Sequence, residues 1–405
     1  MAQGMRLLAH SALAGAPDVG EGMAIRVTDQ GEYLLYIAHE SPPMAVSIVD
    51  VTDPERPRVR WQLPSEHGRV RANSLTFAGD TLLVAQQVDE PGLRPGGLAL
   101  FDLTEDPVNP RRVGFFDASG LHSRGVHFVT CMDGRHAFLA TGMRDFEPRN
   151  SRDHQFLVIV DVADPREPRE VGRWWLPGQR ADDAEPALER HPRFDTGFRL
   201  HHALSYPERP DRAYLGYIDG GIVILDVSNI ARPRLVSRLN YHPPAPGFTH
   251  TVLPLFERQL LVVSDEAIGD EGVDWPKRTW LVDASDEMAP KIVSHMPDPA
   301  GFEELHRVGG RIGAHNIHEN EPWRGSARLV NTVATTWFSA GIRIYDIRDP
   351  YSPNEIAAFI PATPTGQRAS RINDVTVDDR GIVYAGDRLN GGLYVLAYTG
   401  GLPLN

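Results

Sequence analysis

The stretch LVIVDVADPREPREV at 157–171 decides the fold. Its apolar run suits a strand buried between neighbouring sheets, and the Asp at its end accepts hydrogen bonds from backbone N–H groups of a turn. The prolines fix φ and end the ladder, so the residues after the second proline start an outer strand. The phrase is therefore a hairpin, and it recurs. It reads VSIVDVTDPERPRV at 46–59, LALFDLTEDPVNPRRV at 98–113 and IVILDVSNIARPRLV at 222–236, with weaker copies TWLVDASDEMAPKIV at 279–293 and IRIYDIRDPYSPNEI at 342–356.

Upstream of each phrase lie two shorter strands: MAIRV with YLLYIAH, SLTF with TLLVAQ, GVHFVT with HAFLATG, HHALSY with AYLGYI, HTVLPL with QLLVVSD, and AHNIHE with ARLVNTVATTW. A last unit, INDVTV, IVYAGD and GGLYVLAY, has no Asp-Pro turn and no fourth strand. Seven units of about four strands follow, an all-β seven-bladed β-propeller in one domain spanning 1–405. The expected blades are 21–64, 70–117, 124–176, 199–243, 248–297, 312–361 and 371–398, the last completed by residues 5–12 as its outer strand. Closing the ring in this way removes exposed strand edges. An open solenoid would need polar caps, and an α/β barrel would need helices where this chain has proline-rich turns.

LVIVDV at 157–162, followed after one alanine by DPREP, resembles the signature of the LVIVD-repeat family. That resemblance covers nearly the whole chain through the recurring hairpin and implies a β-propeller, while implying little about a reaction.

Composition narrows the function classes. The 405 residues carry a formal net charge of -13, which disfavours nonspecific attraction to nucleic acid or an anionic membrane, so neither is an expected partner. Cys131 is the single cysteine, so no intrachain disulfide forms and a reducing cytoplasm is the simplest setting. The opening MAQGMRLLAHSALAG reads as a poor signal peptide, its apolar stretch being short and broken by His10 and Ser11. No P-loop, dinucleotide-binding glycine fingerprint or GxSxG elbow occurs in a suitable context.

Aligning the units on their first strands brings Asn73, His127, His202, His250, His315 and Asn373 into register, each near the start of an innermost strand. Such strands surround a propeller's axis, where ligands bind. Neutral imidazoles supply nitrogen ligands for a divalent transition metal, so His127, His202, His250 and His315 form the expected metal set. Iron comes first, with copper, manganese, cobalt or zinc as alternatives. The competing account is a polar tunnel whose histidines bind only water and neighbours. His201 is expected to point away from His202 by strand alternation, and His318 and His122 to face solvent near the mouth. The histidine arrangement is similar to two other propeller groups, the selenium-binding-protein/methanethiol-oxidase family and the carotenoid-cleavage oxygenases, the latter holding iron with four central histidines. Only the axial histidine site carries over from either.

Arg71, Arg124, Arg199, Arg311 and Arg371 precede the aligned positions, and a cluster of them would bind an anionic small molecule. Arg311 and Arg371, with Asn73 and Asn373, are the expected substrate contacts. Glu266 and Glu319 lead the candidates for proton transfer, against a plainer role in turns or ion pairs. Insertions at 142–156, 176–198, 266–278 and 296–313 carry aromatic residues that would cover a mouth, the competing account being surface decoration or a contact in a homo-oligomer. Together these features predict a metal-dependent enzyme acting on a small anionic organic compound, with oxidoreductase or oxygenase chemistry first. A metal-assisted lyase, isomerase or hydrolase is the alternative within enzymes, and a protein-binding scaffold the alternative outside them.

Overall fold

In the computed structural model, residues 1–307 and 309–405 are described, so one position of the 296–313 insertion lies outside the described residues. The strands form the antiparallel sheets of a seven-bladed β-propeller. The third blade shows the plan: Val126–Thr130, His136–Thr141, Phe156–Asp161 and Arg169–Trp174 lie side by side in that order. The decisive phrase supplies its last two strands. Asp161 accepts from the Ala163 N–H at 2.9 Å and Asp164 from the Arg166 N–H at 3.0 Å, which shapes the turn. Asp50, Asp102, Asp226 and Asp346 accept from the N–H two residues on in the same way.

One regularity is invisible in the pattern of apolar residues. All six Asp-Pro hairpins carry a register shift one to two residues before the Asp, at Ile48/Val49, Leu100/Phe101, Ile159/Val160, Ile224/Leu225, Leu281/Val282 and Ile344/Tyr345. A bulge bends its strand and increases its twist, which each outer strand needs as it leaves the layer of its neighbours.

By its contacts the chain divides into two compact units, one of residues 1–64, 255–283 and 291–405, the other of residues 65–254 and 284–290. In the first, Met5–Ser11 pairs antiparallel with Gly392–Tyr398, as expected for the closing strand. The chain start goes further than expected, since Ala2–Gln3 pairs with Asn354–Phe359 in the sixth blade. That blade's innermost segment, 314–319, runs along Thr332–Thr336 through His315 N–H to Thr336 C=O and His318 N–H to Ala334 C=O, both 3.0 Å, without forming a regular strand. Apolar residues of neighbouring blades fill the space between sheets, Tyr384 and Leu393 meeting Ile25 and Leu35 in one such layer.

In the second unit, Leu98 and Leu100 pack with Leu139, Phe156 and Val158, and Leu157 and Ile159 with Leu215 and Val223. Strands buried on both faces explain why these runs are continuously apolar. Cys131 sits in the first of these layers, where burial pushes its thiol well above the usual range, so it serves as a small apolar residue. No helix among the described residues is long and apolar enough to cross a membrane.

Candidate metal centre

In the second unit the innermost strands are arranged to deliver imidazoles. His127 lies where the pairing of Val126–Thr130 with His136–Thr141 skips a residue, and a bulged residue is free to aim differently from its neighbours. His202 opens the strand His202–Leu204 opposite Gly216, while the His201 N–H donates to the same Gly216 carbonyl at 2.8 Å. A Cβ on Gly216 would come within 1.9 Å of the His250 carbonyl oxygen, so only glycine lets the His250 strand approach.

His127, His201, His202 and His250 come together and are all buried. His127 Nε2 lies 2.8 Å from His201 Nε2, and His201 Nδ1 lies 2.8 Å from His202 Nδ1. The His250 ring centroid is 3.9 Å from that of His201 and 4.4 Å from that of His202. One nitrogen from each of His201, His202 and His250 falls within 4.8 Å of the others, a spacing that admits a metal ion. The set is all nitrogen, borderline in softness, and suits a transition metal better than calcium or magnesium.

His201 is therefore a member of the cluster, contrary to the alternation expected of it. It precedes the first paired residue of its strand, so the two-residue period does not govern it. Gln87, which the sequence reading did not single out, orients the far end. Its Oε1 accepts from Arg71 Nη2 at 2.6 Å and Nε at 3.1 Å, and sits 3.1 Å from His127 Nδ1. Because arginine only donates, that atom is the amide oxygen, and His127 carries its proton on Nδ1. Asn73, fully buried, places Nδ2 3.4 Å from the same His127 nitrogen.

The first unit holds His315. Its Nδ1 donates to the Asn373 carbonyl at 2.7 Å, leaving the lone pair on Nε2, which lies 3.7 Å from Glu21 and 3.6 Å from Glu266. Arg388 pairs with Glu40 at 2.6 Å and with Glu266 at 3.9 Å. Burial works against its charge, yet Glu40, Glu21 and Glu266 outweigh burial and hold the guanidinium above its usual range. Asn373 donates through Nδ2 to the carbonyls of Val19 and Gly20, at 3.2 and 2.7 Å, tying the seventh blade's inner strand to the first's.

Glu319 is half-buried by surface area, yet enough protein surrounds it that desolvation pushes its carboxyl up to about 8. Asp374 is raised well above the carboxylate range by burial, reinforced by Glu319, Glu21 and Glu321. Arg311 and Arg371 do converge, but on the chain's own Asp270, at 3.3 and 3.0 Å. His318 is not a solvent-facing residue. It is buried, donates to the Ala327 carbonyl at 2.8 Å and accepts from the Val377 N–H, with desolvation lowering its pKa to about 4.

The LVIVD repeat profile matches residues 153–174 and 211–241. No curated protein matches the chain. Among solved structures, a periplasmic gluconolactonase of Pseudomonas aeruginosa, PpgL, is similar at 11% identity and a TM-score of 0.59, over 91% of this chain and 96% of that one. The β-propeller domain of Cps50 (Swd1) from Myceliophteria thermophila is similar at 14% identity and a TM-score of 0.57, over 97% and 99%. A protein from Lactobacillus plantarum follows at 13% identity and a TM-score of 0.55, over 91% and 95%. At these identities the likeness is one of fold.

Proposed function

We propose that this LVIVD-repeat propeller is a metal-dependent enzyme that acts on a small anionic organic compound, with His201, His202 and His250 as metal ligands and His127 beside them. The observation that carries the reading is three buried imidazole nitrogens within 4.8 Å of one another. Iron is the first choice of metal, because an all-imidazole set on a redox metal supports oxidoreductase or oxygenase chemistry. Such an ion would supply Lewis acidity or electron transfer.

The chain's own residues prepare the site. Arg71 fixes Gln87, Gln87 fixes the His127 tautomer, and the ladder then runs from His127 through His201 to His202 with one proton in each gap. That assignment leaves the His202 lone pair on Nε2, the form a metal requires, while both nitrogens of His201 are used within the ladder, so His201 ligates an ion only by giving up one of those two bonds. In the first unit Glu319, protonated near neutral pH, has the form of a proton donor.

The same ladder uses both ring nitrogens of His127 and His201 without metal, which favours a second reading, a hydrogen-bonded imidazole chain inside a binding scaffold. Element analysis of protein purified without added metal separates the two. Near-stoichiometric iron, copper or manganese that disappears in a folded His202→Ala/His250→Ala variant is the expected result. Metal content unchanged in that variant, or none in the parent under several metal supplies, would sink the enzyme reading. The electronic spectrum of the native metal then distinguishes redox from Lewis-acid chemistry.

A further inference from the structure

The 176–198 insertion and the segment after Arg234–Leu239 enclose a cavity of about 360 Å3 within the second unit. Its walls include Leu188, Pro192, Phe198 and Pro243, which are apolar. Most of its polar lining is already engaged. Arg190 donates to Asp153 at 2.9 Å and to Asp195 at 2.6 Å. Asp219 accepts from the Thr196 hydroxyl and the N–H groups of Thr196 and Gly197, at 2.7 to 2.8 Å. The two ring nitrogens of His242 lie against the carbonyls of Ala245 and Phe194, at 2.7 and 2.9 Å.

Among the cationic side chains of the lining, Arg238 differs. Its Nε donates to the Gly220 carbonyl at 2.6 Å and its guanidinium carbon lies 5.9 Å from the Phe198 ring centroid, but no carboxylate pairs with it among the described residues. Burial lowers its pKa, opposed only by Tyr217, as expected for a half-buried cation lacking a counter-ion. A half-buried guanidinium facing a cavity gains when an anion supplies the missing charge, and its paired Nη groups match a carboxylate in both spacing and planarity. The carboxylates of Glu189 and Asp219 in the lining and of Asp153 and Asp195 behind Arg190 repel a dianion, so a single charge fits better than a phosphate. The cavity volume lies near the lower end of ligand sites, about 300–1,000 Å3, and the apolar walls call for a compact flat body.

We propose that this cavity binds a small monocarboxylate with a flat apolar body, its carboxylate held by the Nη groups of Arg238 and its body against Leu188, Phe198 and Pro243. The site shares no residue with the histidine cluster and needs no metal. Only Arg199 and Leu200 separate Phe198 from His201, so their Cα atoms are within about 11 Å.

The test is calorimetric titration of the full chain with benzoate, with benzamide as the uncharged isostere and inorganic phosphate as the dianion. Benzoate binds at millimolar concentration or better, benzamide at least about tenfold more weakly, and phosphate does not displace benzoate. Arg238→Gln weakens benzoate at least about tenfold, Arg238→Lys less, and Leu188→Trp blocks it by filling the cavity while leaving Arg238 in place. Circular dichroism checks each variant's fold, and Leu188→Trp decides the matter if Arg238→Gln does not fold. Binding persists after chelator treatment and in the His202→Ala/His250→Ala variant, which keeps this result separate from the fate of the metal reading. No benzoate binding, equal binding of benzamide, preference for phosphate, insensitivity to the cavity variants or loss of binding with the metal ligands would each overturn the proposal.

Discussion

The two compact units bury polar residues of different composition. In the 65–254 unit, four histidines gather with the Gln87 amide, and one proton per gap keeps the ladder of His127, His201 and His202 neutral. In the other unit a single histidine stands between Glu21 and Glu266, with Arg388 and Glu40 beside them. A neutral imidazole is desolvated more cheaply than a charged group, which lets several be buried together. A carboxylate persists in the interior only beside a cation or by holding its proton. The first unit uses both solutions, Arg388 for Glu40 and Glu266, and protonation for Glu319 and Asp374.

That contrast breaks most visibly at Arg388. Replacing it by methionine strands Glu40 and Glu266 in the interior, and denaturant unfolding is expected to show a loss of about 3–5 kcal/mol. A loss well below that would mean that water, not Arg388, stabilises those carboxylates. In the histidine cluster the corresponding support is Gln87. Gln87→Leu removes the acceptor that fixes the His127 tautomer, and metal affinity measured by competition with a chelator should fall by about 10–100-fold with the fold intact. An unchanged affinity would show that the ladder needs no anchor.

The smallest effect is a pH dependence. The Glu319 carboxyl titrates near 8 in the folded chain against 4.5 for the ordinary side chain, so the folded state binds more protons between those values. Its contribution is complete below about 4.5 and is lost as pH rises through about 8, because the charged form must then be accommodated where solvation is poor. Discounted for partial contact with solvent, the loss is about 1–2 kcal/mol. Thermal melts of Glu319→Gln should lack that decline, and parallel pH profiles for variant and parent would place the titration elsewhere.

Much of the architecture was legible. The six Asp-Pro phrases mark hairpins because an apolar run, a capping Asp and two prolines are local signals, and the missing strand of the seventh blade pointed to Met5–Ser11. The bulge before each Asp was not legible, since a register shift depends on the partner strand. Nor was the excursion of Ala2–Gln3 to the sixth blade.

The site was legible only in part. Alignment chose His127, His202, His250 and His315, each of which has a nitrogen in a buried group spaced to hold a metal ion. It excluded His201 on a strand rule that fails one residue before the strand begins, although two consecutive histidines in LHHAL were a usable hint. It matched Arg311 and Arg371 to an outside anion, but their shared partner Asp270 comes from a loop whose path no local pattern records. Arg238 gave no signal at all, because a cation's lack of a partner is a property of everything around it.

The sequence by itself determined the repeat, the hairpins, the blade number and the placing of histidines on inner strands, because these follow from short-range periodicity and turn chemistry. The tertiary structure alone decided which imidazoles touch, which carboxyls keep their protons and which arginines have counter-ions. Those outcomes depend on distances of a few ångströms and on desolvation, and both are set by chain segments remote in sequence.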